Sequence, residues 1–219
     1  MAIPISTTEA DRFQTVVGTT GERYYAAGFD TTNGDRRMAL ARLGPTGSLD
    51  PSFGQGGIAT VNVAVGGKTA EFARGVVVQS GGKVVIAGPV EHDPTATGDA
   101  ARDTDIAVVR FDATGKLDPT FGVNGVVRLD LSTGVVSGTA FRGDTSWGLT
   151  LLPEDGLVVV GGTLGDGAGR TDIDYAVVKL TSNGTLDTTF GTDGHVTLDI
   201  EQGGDSPRTA IVSLMERSL

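Results

Sequence analysis

Short apolar runs separated by glycine-rich turns recur along the whole 219-residue chain. Examples are GVVV at 75–78, VVIAG at 84–88 and IAVVRF at 106–111. Runs that are rich in valine and apolar at nearly every position are typical of strands buried on both faces. Their short length and bounding glycines argue against helices. The pattern therefore predicts an all-β chain.

A motif, G-x-L-D-x-S/T-F-G-x-x-G, occurs three times, at 47–57, 115–125 and 184–194. Its leucines fall at 49, 117 and 186, which gives periods of 68 and 69 residues. Two upstream sets of apolar runs align with the same periods; they are 38–43, 106–111 and 175–180, and 24–28, 84–88 and 158–162. With an opening apolar run, each period contains four predicted strands, A to D, and the motif joins C to D.

Four antiparallel strands repeated at a regular spacing are typical of a β-propeller blade. We predict a single repeat domain with units at about 8–66, 67–137 and 138–203, followed by one extra C-terminal strand within 204–219. A blade buries its faces only against neighbours, and closed propellers have roughly 4–8 blades. We therefore predict a homodimer that completes six blades. A truncated longer propeller and an open, capped arc are the alternatives.

The repeated residues of the motif have structural interpretations. An aspartate after leucine and before Pro or Thr can accept backbone N–H groups and fix the C–D connection. These aspartates are Asp50, Asp118 and Asp187. One large ring in each unit predicts a wedge between neighbouring blades. These rings are Phe53, Phe121 and Phe190.

Strand C carries two further repeated charges. The acids that precede it are Asp35, Asp103 and Asp172, and the bases at its end are Arg42, Arg110 and Lys179. A repeated ion pair, or a hydrogen bond to a turn, accounts for both sets. The alternative is a ring of charge around a central channel. We keep these six residues as candidate ligand-binding residues.

Composition excludes several classes of function. The formal net charge of −10 disfavours binding to nucleic acid, because phosphate backbones are repelled. The absence of cysteine excludes disulfides, thiolate metal sites and cysteine nucleophiles. No apolar run reaches the ~20 residues that span a bilayer. Residues 1–6 lack the basic and apolar regions of a signal peptide.

The sequence DATGKLDPTFGVNG at 112–125, preceded by DIAVVRF at 105–111, resembles the delta-60 repeat family. The resemblance covers all three units and includes GGKVVIAG at 81–88. The first unit departs from the family pattern at its turn, 19–23, and the period is longer than usual for the family. The resemblance implies a propeller-like fold in a bacterial, exported or surface-associated protein. It implies no catalytic residues.

Motifs with a chemical mechanism are sparse. The chain has no G-x-S-x-G elbow, P-loop or H-E-x-x-H sequence, and neither His92 nor His195 has a metal-ligand spacing. The acidic loop at 93–105 offers oxygen atoms that suit Ca²⁺. Its metal candidates are Asp93, Asp99 and Asp105, with a solvated acidic loop as the alternative. No other cofactor is expected.

These observations predict a non-enzymatic binding or interaction module on a β-propeller scaffold. The alternative is a propeller hydrolase or lyase with a carboxylate or metal site at the channel mouth. The loops between strands B and C vary in length among the units, and such variation is typical of a binding face.

Overall fold

The computed structural model describes residues 9–66, 70–137, 140–164, 171–200 and Arg208. Within these residues, the strands form three four-stranded antiparallel sheets and one two-stranded sheet. The described residues contain short 3-10 turns but no α-helix, and therefore no helix that is long and apolar enough to cross a membrane. The prediction of three four-stranded units in an all-β chain is confirmed.

The first unit is a sheet whose strands lie side by side in chain order. Its strands are β1 (Arg12–Gly18), β2 (Tyr24–Thr32), β3 (Asp35–Leu43) and β4 (Ile58–Val61). The loop expected between Phe29 and Gly34 is shorter than predicted. Asn33 and Gly34 both have positive φ and make a two-residue turn, which fits the twist of a hairpin.

The second unit repeats this order. Its strands are β5 (Gly75–Val78), β6 (Val84–Glu91), β7 (Thr104–Phe111) and β8 (Val126–Leu129). Every residue of β6 is buried, as the continuous apolar run predicts. The long acidic loop between β6 and β7 contains the 3-10 turn Gly98–Arg102.

A hairpin that the sequence analysis did not predict follows β8. It consists of β9 (Val135–Ser137) and β10 (Ala140–Arg142) and lies in the connection between the second and third units. The extra strand predicted within 204–219 falls outside the described residues, apart from Arg208, and remains a prediction.

The third unit has the same strand order. Its strands are β11 (Thr145–Leu151), β12 (Leu157–Leu164), β13 (Ile173–Leu180) and β14 (His195–Leu198). The alignment of 158–162 with 84–88 is wrong by one residue, because Gly161 pairs with Ala176 as Gly88 pairs with Ala107. A Cβ atom on Gly161 would lie 1.9 Å from the carbonyl oxygen of Thr145, so the close approach of strand A requires glycine there.

The sheets stack on one another through two apolar cores. Strand β5 contacts both β1 and β11, so the sheets fan out from an inner edge formed by the first strand of each unit. The core between the first two units includes Met38, Leu40 and Ile86. The core between the second and third units includes Val108 and Val178. Because the second sheet is covered on both faces, its strands are apolar throughout.

The motif phenylalanines are wedges at these two interfaces. Phe53 and Phe121 are fully buried. A Cβ atom on Gly115 of the second unit would lie 3.1 Å from the Phe53 ring, and one on Gly184 of the third unit would lie 2.9 Å from the Phe121 ring. Phe190 is only half-buried. The predicted wedge is therefore confirmed for the first two copies of the motif.

We expect Phe121→Ala to lower the free energy of unfolding by about 3–5 kcal/mol, the usual cost of emptying a buried aromatic site. Phe190→Ala should cost less than about 2 kcal/mol, because its ring keeps contact with solvent. Equilibrium urea unfolding of both variants measures the difference. Equal losses would contradict the assignment of Phe121 as an interface wedge.

Candidate functional site

The aspartate of the motif holds two groups at once. Oδ1 of Asp118 accepts the backbone N–H of Thr120 at 3.0 Å and its hydroxyl at 2.6 Å, while Oδ2 lies 3.0 Å from Nε of Arg110. The same arrangement joins Asp50 to Ser52 and Arg42, and Asp187 to Thr189 and Lys179. The predicted role of these aspartates in fixing the C–D connection is confirmed.

These contacts stabilise the charged form of each carboxyl group. Burial alone would raise the pKa of Asp118, but hydrogen bonds from Thr120 and the nearby Lys83 and Arg110 outweigh it and hold the pKa below its usual range. Lys179, followed by Thr189, lowers the pKa of Asp187 to about 2.

The bases at the end of strand C reach the next unit. Nη1 of Arg42 donates to the carbonyl oxygen of Ala113 at 2.8 Å, and Nη1 of Arg110 donates to that of Ser182 at 2.6 Å. Each guanidinium also stacks on the phenylalanine of its own unit, 4.8 and 4.7 Å from the ring centroid. Two of the six candidate ligand-binding residues are therefore engaged in unit interfaces. Lys179 points from the face of the third sheet that the second unit does not cover.

The acids that precede strand C bind the chain that follows strand D. Oδ2 of Asp35 accepts the N–H of Gly66 at 3.0 Å, and Oδ1 of Asp103 accepts that of Gly134 at 3.2 Å. Asp172 precedes β13 at the equivalent position. Strand C is third from the inner edge, so the structure does not gather these acids there. A ligand-binding role for the six residues remains a prediction.

The three proposed metal candidates are not brought together. The Asp93 carboxylate accepts hydrogen bonds from Thr95, and Asp99 forms an ion pair with Arg102. Asp105 instead lies near His92 and Asp130, and one ligand atom from each of these three falls within 4.8 Å of the others.

Asp105 already carries charge-assisted contacts in this cluster. Its Oδ1 lies 2.8 Å from Nδ1 of His92, and its Oδ2 lies 2.6 Å from Nη2 of Arg128. The contact with Asp105 raises the pKa of His92. Because a bound cation would compete with Arg128 for the carboxylate, the cluster favours an ion-pair network over a Ca²⁺ site. Calcium binding at the acidic loop remains a prediction.

Sequence reasoning missed a buried acid that begins the second unit. The Glu71 side chain is fully buried and accepts the N–H groups of Met38, Val63 and Ala64 in the first unit, at 3.3, 2.9 and 3.0 Å. Burial outweighs these hydrogen bonds and raises the pKa of Glu71 to about 7.

Asp144 has the same role at the start of the third unit. It accepts the N–H and hydroxyl groups of Ser132, and burial raises its pKa. The signal was present in the sequence, because Glu71 and Asp144 each stand four residues before a buried glycine, Gly75 and Gly148.

The inner edge presents different residues in different units. The strand A register is irregular at Gln14 in β1 and at Trp147 in β11. Their equivalent in the second unit is Arg74, because Arg12, Phe72 and Thr145 each lie against the matching glycine of strand B. The inner edge therefore varies while the interfaces repeat.

Arg74 is a partly buried cation in this variable position. Its guanidinium stacks on the Trp147 ring at 3.7 Å and donates to the hydroxyl of Thr145 at 3.0 Å. Arg208 lies over the same ring at 4.4 Å. Burial, followed by repulsion from Arg208, lowers the pKa of Arg74 to about 10. None of the described residues forms a salt bridge with Arg74.

Three segments of the chain, 23–53, 95–121 and 154–190, match the family model described as "Domain of unknown function (DUF5122) beta-propeller". The chain is similar to this β-propeller family. Each matched segment ends on a motif phenylalanine, so the similarity follows the same three repeats as the sheets. No curated protein matches the chain at a significant level.

We expect Glu71→Gln to reduce the pH dependence of stability. Because the folded pKa of about 7 exceeds the unfolded value of 4.5, the contribution of Glu71 is full below pH 4.5 and is lost as pH rises through 7. Its loss is on the order of 3 kcal/mol. Urea unfolding at several pH values between 4.5 and 8 measures the slope.

Glu22→Gln is the matched control, because Glu22 is exposed. It should keep the wild-type pH dependence of the unfolding free energy. If Glu71→Gln keeps the wild-type slope as well, Glu71 does not titrate as described.

Proposed function

We propose that this chain is a non-enzymatic binding and interaction module, and that its ligand is a small anion held at the inner edge of a β-propeller scaffold. The Arg74–Trp147–Arg208 cluster carries this proposal. Similarity to a propeller family of unknown function supports the scaffold, and we extend it to the narrower proposal that the chain is a delta-60 repeat protein.

The electrostatics of the cluster favour an anion. A partly buried guanidinium is normally compensated by an acidic partner, and an anionic ligand can supply that charge. Arg74 and Arg208 both contact Trp147, so two positive charges meet at one site of a chain whose formal net charge is −10. Carboxylate, sulfate and phosphate groups share the geometry that guanidinium donors recognise.

The repeated charges support a scaffold role by contrast. Arg42 and Arg110 contact the motif aspartate, the motif phenylalanine and the following unit. Residues that hold one sheet to the next are engaged in every unit interface. The inner edge is where the copies differ, as expected for a surface that determines ligand preference.

Trp147 is the only tryptophan in the chain, so its fluorescence reports on this site directly. We expect a saturable change in emission when sulfate, phosphate or citrate is added at constant ionic strength. Arg74→Gln should raise the apparent Kd about tenfold or more, because it removes a charge-assisted contact.

Arg23→Gln, which changes an exposed arginine, is the matched control and should bind like wild type. Identical titrations for all three proteins, or an emission change that grows linearly with salt, would overturn the anion site.

We also propose that two copies associate to complete a six-unit ring. Each sheet needs a neighbour on both faces, and two sets of three units give a number within the roughly 4–8 blades of closed propellers. Leu198 on β14 of the third unit is 49% exposed, which supports an uncovered face there. Multi-angle light scattering should give about twice the chain mass of 22.4 kDa.

A further inference from the structure

The structure contains two copies of one contact between successive units. We call it the connector contact: the motif of one unit meets the turn after strand C of the next unit. These turns span 112–116 in the second unit and 181–185 in the third. The N–H of Gly54 donates to the carbonyl oxygen of Thr114 at 2.8 Å, and that of Gly122 donates to Asn183 at 2.9 Å.

Three features recur in both copies. An arginine donates to a second carbonyl of the turn, that of Ala113 or Ser182. The motif phenylalanine lies under the glycine of the turn, Gly115 or Gly184. Both glycines are buried by this contact.

The third motif has the donor half of the contact without the acceptor half. Lys179 and Asp187 are paired at 2.8 Å, as Arg110 and Asp118 are in the second unit. Phe190 and Lys179 line a groove of ≈ 590 Å³ together with Leu152 and Val158. Among the described residues, no backbone carbonyl accepts the N–H of Gly191.

The first unit has the acceptor half without the donor half. Its turn at 44–48 closes with the hydrogen bond from Gly44 N–H to the Ser48 carbonyl at 2.9 Å, as the other two turns close at 2.7 and 2.8 Å. Gly47 has φ +79, close to the +84 of Gly115 and Gly184. Unlike them, Gly47 is exposed, and a Cβ atom there would meet none of the described residues within 4 Å.

We propose that the third motif of one copy binds the first turn of a second copy, so that the connector contact is made between chains. This inference rests on the proposed self-association and assigns its contact surfaces. The N–H of Gly191 donates to the carbonyl of Thr46 in the other copy, Lys179 takes the place of the interface arginine, and Phe190 lies under Gly47.

The same geometry explains why assembly ends at two copies. The contact joins two different surfaces, and such heterologous contacts form a ring when the rotation closes and a filament when it does not. Three units of a six-blade ring span half a turn, so two copies close it through two identical contacts. A fourth unit of another chain is the competing occupant, and it predicts a monomer for this chain alone.

Gly47→Asn tests the contact without emptying a core. Asn tolerates positive φ, and its side chain meets open space in a single copy. In the connector contact, the equivalent Cβ on Gly115 would lie only 2.6 Å from the Gly54 nitrogen. Gly34→Asn is the matched control, because Gly34 has φ +78 and equally open surroundings.

By light scattering at micromolar concentration, we expect dimers for wild type and Gly34→Asn, and at least a tenfold higher dimer dissociation constant for Gly47→Asn. Monomeric wild type would overturn both the self-association and the contact. Dimeric wild type with an unaffected Gly47→Asn would overturn the contact alone. Neither result bears on the anion site.

Cysteine cross-linking provides a second test, since the chain has no cysteine. Thr46→Cys combined with Thr192→Cys, treated with a short bismaleimide, should give a covalent dimer. The equivalent pair inside one chain, Thr114→Cys with Gln55→Cys, should give a cross-linked monomer. A dimer from the first pair that equals the yield of either single variant would contradict the proposed contact.

Discussion

The contact on which the rest of the structure depends joins the motif of one unit to the strand C turn of the next. A single four-stranded sheet leaves both faces exposed and requires neighbours for stability. The motif supplies a buried ring, a backbone donor and a side-chain cation at one place, and the next turn supplies two carbonyls and a glycine. This combination fixes the register between sheets, which apolar packing alone does not specify.

Most of the repeated charge is used inside this scaffold. Asp118 has a lowered pKa because it holds Thr120 and Arg110, whereas Glu71 has a raised pKa because it is buried against backbone N–H groups. The two acids therefore respond to pH in opposite directions. Asp118 contributes to stability above its unfolded pKa, and Glu71 contributes most below its own.

The sequence predicted the fold better than it predicted the site. A period of 68 or 69 residues and a motif with an invariant order were sufficient to count the sheets and place their strands. The pairing of Arg110 with Asp118 was missed, because the two residues come together only when strand C and the motif fold back on each other.

The site itself depends on contacts that no local pattern encodes. Arg74, Trp147 and Arg208 are separated by some 60 to 70 residues along the chain. They meet because each occupies the inner edge of its sheet and the sheets stack. The one-residue error at Gly161 has a similar cause: adjacent glycines look equivalent in sequence, and only the approach of Thr145 distinguishes them.

Amide hydrogen exchange at the three motif glycines tests the central claim most directly. Gly54 and Gly122 donate to the following unit, so their N–H groups should be protected at every protein concentration. The Gly191 N–H should be protected in the dimer and should exchange rapidly on dilution to the monomer. Rapid exchange of Gly191 in concentrated wild-type protein that is dimeric would contradict the account, as would rapid exchange of Gly54 or Gly122.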